Sequence, residues 1–145
     1  LMTAGQINGR LVGRVPLTRL LAAGLTATAT GGVALLAVVI TGGIGLVGIL
    51  PSLFLVVSSL GFVLPNATAL ALSGHPRSAG SASALLGVLQ FAIGAAAAPL
   101  VGAFGARTAL PMSVVMATLG LSALVTFALL VHGSESLASR AGANP

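Results

Sequence analysis

From Gly61 to Gly102 the sequence is an apolar run, a short polar turn holding His75 and Arg77, and a second apolar run. Two such runs joined by a brief turn read as a membrane hairpin. In lipid the backbone must satisfy its own N–H and C=O groups, and a helix does so within one segment. Three polar side chains, Asn66, Thr68 and Gln90, sit well inside the two arms. Hydrocarbon offers them no partner, so each needs a neighbouring helix or a water-filled cavity.

Composition agrees with a membrane protein. Of 145 residues, 57% are hydrophobic and 5% are charged, against about a quarter charged in soluble domains. The net charge of +5 comes from six basic residues, all arginine, with no lysine, tyrosine or tryptophan. No basic stripe with stacking aromatics exists, which argues against nucleic acid as a partner. The absence of cysteine excludes disulfides and thiolate metal sites. Glu135 is the sole acid, and His75 and His132 lie far apart. No carboxylate pair, catalytic triad or metal cluster can be assembled from these groups, so neither an enzyme nor a cofactor or metal is expected.

Along the chain, residues 1–8 read as the end of a membrane helix and 9–19 as a basic loop, with Pro16 barring a continuous helix. Residues 20–131 hold four complete spans: Leu20 to Ile40, Gly45 to Leu72, Ser81 to Ala103 and Ala109 to Val131. Each is long enough to cross roughly 30 Å of hydrocarbon. Pro51 suits a helix start. Pro65 lies deep in the second span, where it removes a hydrogen bond, kinks the helix and frees a carbonyl near Gly61. Residues 132–145 are expected to be a disordered tail. The fold class is therefore all-α, a polytopic transmembrane helical bundle.

Alternating the faces puts Arg10, Arg14, Arg19, Arg77 and Arg140 on one side and only Arg107 on the other. The positive-inside rule makes the first side, with the C-terminus, cytoplasmic.

The phrases FVLPNATALAL and HPRSAGSASALLGVLQFAIGAAAAPLVG resemble the tenth and eleventh segments of bicyclomycin-resistance (Bcr/CflA-type) drug exporters of the major facilitator superfamily. The resemblance covers roughly residues 1 to 131 and is densest from Leu64 to Gly102. It implies that residues 1–8 end segment eight and that the four spans are segments nine to twelve of twelve. It further implies a missing N-terminal half, a bacterial inner-membrane location, and export of drug-like small molecules by proton antiport, although the residues themselves leave the coupling ion open between protons and sodium. The loop GQINGRLVGRVPLTRLL resembles the second-half copy of the superfamily's cytoplasmic motif, with Gly5, Arg10, Gly13 and Arg14 matching. It departs in carrying Asn8-Gly9 where the full motif has an acid. Proton coupling needs an ionisable group inside the membrane. The spans contain none, so that group is expected in the missing half.

The residues themselves leave alternatives open. Gln90 either bonds across a helix interface or lines a cavity and touches substrate. Asn66 either contacts substrate or satisfies backbone groups loosened at Pro65. Thr26, Thr28, Thr30, Ser58 and Ser59 are read as bonding their own helix backbone one turn back. Gly87, Gly94, Ala98 and Gly102 form a smooth face read as a close helix contact. The competing reading of the whole is a stand-alone four-helix membrane protein with a structural or assembly role.

Overall fold

A computed structural model describes residues 2–42, 45–74, 79–102 and 109–141. They form five helices: α1 (Met2–Leu11), α2 (Leu17–Thr41), α3 (Gly45–Leu72), α4 (Ala79–Gly102) and α5 (Leu110–Ala141). Four of them contain segments long and apolar enough to cross a membrane: Leu17–Thr41, Gly45–Leu72, Ala79–Pro99 and Leu110–Val131. The chain is an all-α polytopic bundle. His75 and Arg77 of the polar turn, the turn bearing Arg107, and residues 142–145 lie outside the described residues.

Local chemistry sets the helix ends. α2 stops at Gly42, whose left-handed φ of 62° lets its N–H donate to the Val38 carbonyl at 3.1 Å. A glycine adopts that conformation without a Cβ penalty. Between α1 and α2 the chain reverses at Gly13, φ 93°. There the Arg14 and Val15 N–H groups both donate to the Leu11 carbonyl at 3.0 Å. Pro16 then fixes the entry to α2.

Two boundaries differ from the sequence reading. The basic loop expected over 9–19 contracts to five residues, 12–16, because α1 runs on through Leu11 and α2 begins directly after Pro16, at Leu17. The expected disordered tail is helical as far as Ala141. Polarity marks where a span leaves hydrocarbon, but Glu135, Leu137, Ala138 and Arg140 are good helix formers and no proline interrupts them.

α2 is the central helix, packed along α3 on one side and along α5 on another. With no hydrophobic drive between helices in lipid, close van der Waals contact must hold them, and glycine makes it possible. A Cβ at Gly31 would sit 2.8 Å from Val56 Cγ2, and one at Gly24 would sit 2.9 Å from Val63 Cγ2. Toward α5, a Cβ at Gly32 would lie 3.1 Å from Ala117 Cα, and one at Gly120 would lie 3.3 Å from Ala29 Cα. Leu35, Ala29 and Ala117 are buried along these contacts.

The close packing expected at Gly87, Gly94, Ala98 and Gly102 is not where the helices meet. A Cβ at any of these three glycines would have nothing within 4 Å, and Ala98 is exposed. α4 touches α3 and α5 only sparsely, and none of its span window is buried. A face of small residues permits close approach, but it does not say which helix supplies the partner.

Candidate functional site

Among the described residues the buried polar side chains are Asn8 on α1, Ser52, Ser59 and Asn66 on α3, and Ser113 on α5. Asn66 follows Pro65 one residue on and is 1% exposed. Its Nδ2 donates to Asn8 Oδ1 of α1 at 2.7 Å and to the Phe62 carbonyl, one turn back, at 2.7 Å. A carbonyl can only accept, so the Phe62 contact fixes which amide atom is the nitrogen. Both amide protons are then used, and Asn66 Oδ1 is buried with no hydrogen-bond partner among the described residues. Such an acceptor costs about 1–3 kcal/mol of lost hydration.

Asn8 lies in the last turns of α1. It is 3% exposed. The pair joins two neutral amides and puts no charge between the helices.

A second contact ties α2 to α3. The Thr28 and Ser59 hydroxyls are 2.7 Å apart. Thr28 Oγ1 also lies 2.9 Å from the Gly24 carbonyl, and Ser59 Oγ lies 2.7 Å from the Val56 carbonyl. Two hydroxyls carry two protons for these three contacts, so one proton serves the interhelical bond and one carbonyl goes without. Thr26 and Thr30 bond back to their own helix, to the Ala22 and Thr26 carbonyls.

Two grooves flank these contacts. One of about 180 Å³ runs between α2 and α3 and is lined by Ala23, Gly24, Ala27, Ser58, Ser59 and Phe62, among others. The other, about 270 Å³, lies between α1 and α3 and is lined by Met2, Gly5, Leu60, Gly61, Leu64 and Pro65. Gly61 and Pro65 thus border the groove where the proline withholds a donor from the carbonyl four residues back.

Gln90 is exposed on α4. Asn66 is enclosed by α1 and α3, and the structure does not place these two candidates in one environment. Of the loop-motif residues, Gly5 lines the α1–α3 groove, Arg10 is in the last turn of α1, and Gly13 and Arg14 form the reversal. Sequence reasoning did not pair Asn8 with Asn66 or Thr28 with Ser59. The available signal was polar residues at one-turn spacing, but spacing within a helix does not reveal the partner across an interface.

No protein-family model matches the chain, and no solved structure matches it. Over 65 residues, 45% of the chain, it is 42% identical to the uncharacterized MFS-type transporter YdgK of Bacillus subtilis (strain 168). The aligned stretch covers 16% of that protein. Part of this chain is therefore similar to a small part of a major facilitator transporter.

Proposed function

We propose that this chain forms part of a secondary active transporter of the major facilitator superfamily, of the bicyclomycin-resistance type. It exports drug-like small molecules from the cytoplasm across a bacterial inner membrane, in exchange for protons. The observation that carries the transporter part of the reading is the 42% identity over 65 residues to an MFS-type transporter, on a chain whose helices include four of membrane-crossing length. The subtype, the drug-like substrate and the proton rest on the resemblance of residues 64–102.

Such transporters rock helical bundles around a site near the bilayer midplane. In this reading the chain supplies one wall, and the remaining wall and the protonatable group come from the N-terminal half. The enclosure of Asn66 by Asn8 supports a scaffold role for that pair, which holds α3 in place below its proline. Gln90 is exposed on α4, and because hydrocarbon offers its amide no partner, this reading makes Gln90 the cavity-side group that meets substrate.

The test is a drug-resistance profile in cells expressing the complete transporter. Gln90→Ala is expected to change which compounds are exported while the protein inserts normally. An unchanged profile would remove Gln90 from the substrate wall. If expression of the unsubstituted transporter exports no compound at all, the structural-protein reading replaces transport.

A further inference from the structure

The connection between α1 and α2 concentrates positive charge. Arg10 closes α1, Arg14 follows the Gly13 reversal, and Arg19 stands in the first turn of α2, all three exposed. By alternation of the spans, Arg77, Arg140 and Glu135 fall on the same side. One carboxylate cannot neutralise five guanidinium groups.

Arg19 is also placed against the local field. A helix macrodipole disfavours a cation in the first turn. The first turn of α2 carries no acid, and Pro16 offers no side-chain hydrogen bond to cap it. An anion from outside the described residues would relieve both the mutual repulsion and this mismatch.

Position and surroundings select the kind of anion. Arg10 and Arg14 precede the apolar Leu17–Thr41 segment and Arg19 stands in its first turn, where a helix crossing a bilayer passes from headgroups into hydrocarbon. Within the same turn Val12 is 45% exposed. An apolar side chain beside guanidinium groups suits the boundary between acyl chains and phosphates, where arginine extends its stem along apolar surface and its head toward the phosphate. Guanidinium donates two parallel hydrogen bonds to a phosphate, and basic residues just outside a span attract anionic lipid.

We propose that Arg10, Arg14 and Arg19 form a binding surface for the phosphodiester headgroup of an anionic lipid. The surface rests on charge and membrane placement and does not depend on the transport reading.

The experiment reconstitutes the protein in phosphatidylcholine vesicles containing spin-labelled phosphatidylglycerol or spin-labelled phosphatidylcholine. The fraction of label immobilised at the protein is then compared between the two lipids. Phosphatidylglycerol should be preferred, and the preference should fall with added salt. It should weaken by about tenfold or more in Arg10→Gln/Arg14→Gln/Arg19→Gln, and survive in the corresponding triple lysine variant, which keeps the charge. If the glutamine variant does not insert, the salt titration of the unsubstituted protein decides. Equal association of the two lipids would overturn the proposal, as would a preference indifferent to salt. Complete displacement of the lipid by inorganic phosphate at constant ionic strength would show a free-anion site instead and would also overturn it.

Discussion

Asn66 is the residue whose surroundings say most about this chain. Its amide nitrogen holds α1 against α3 while its oxygen meets no donor among the described residues. The Asn8–Asn66 bond is expected to contribute about 0.6–1.7 kcal/mol, the range of interhelical hydrogen bonds in membrane proteins. A double-mutant cycle with Asn8→Ala and Asn66→Ala, read by reversible unfolding, should return a coupling of that size. Strictly additive losses would show that the two amides do not interact. Thr28→Val keeps the side-chain shape and deletes the hydroxyl, so it should cost about 0.6 kcal/mol through the lost contact with Ser59. Neither amides nor hydroxyls titrate in the physiological range. Both effects should therefore be the same at about pH 5 and about pH 8, between which only histidine changes charge without a perturbed pKa.

At the level of elements, glycine decides which helices meet. Gly32→Leu would drive a side chain into the α5 backbone, now 3.1 Å from where its Cβ would stand. That variant should lose about 1–3 kcal/mol of stability. Gly87→Ala meets nothing within 4 Å and gains helix propensity, so its thermal midpoint should not fall. Equal losses at both positions would contradict the packing described. The helices themselves were legible in the sequence. Gly45 to Leu72 is an uncharged run between glycine breaks, and α3 occupies those bounds. The partners were not legible. Gly24, Gly31 and Gly32 on α2 and Gly87 and Gly94 on α4 look alike as small residues, and only the neighbour's shape separates a close contact from an open face. The same limit hid the Asn8–Asn66 pair, whose members stand on different helices with α2 between them in sequence. The end of α5 was missed for another reason: a run can be too polar for hydrocarbon and still be helical in water.

For the whole molecule, the proposed topology, in which α2 crosses the membrane, puts the 12–16 turn and the end of α2 on opposite faces. The chain contains no cysteine, so single cysteines report position without background from it. Val12→Cys should react with a membrane-impermeant maleimide only from the cytoplasmic side, and Thr41→Cys only from outside. Labelling of both from one side would overturn the topology. The measurement that bears most directly on the proposed function is efflux from proteoliposomes containing the complete transporter under an imposed pH gradient. The account predicts that a drug-like substrate moves against its concentration gradient and that collapsing the pH gradient abolishes the movement. Substrate movement that ignores the gradient would contradict proton exchange, and no movement of any small molecule would contradict the assignment to a transporter.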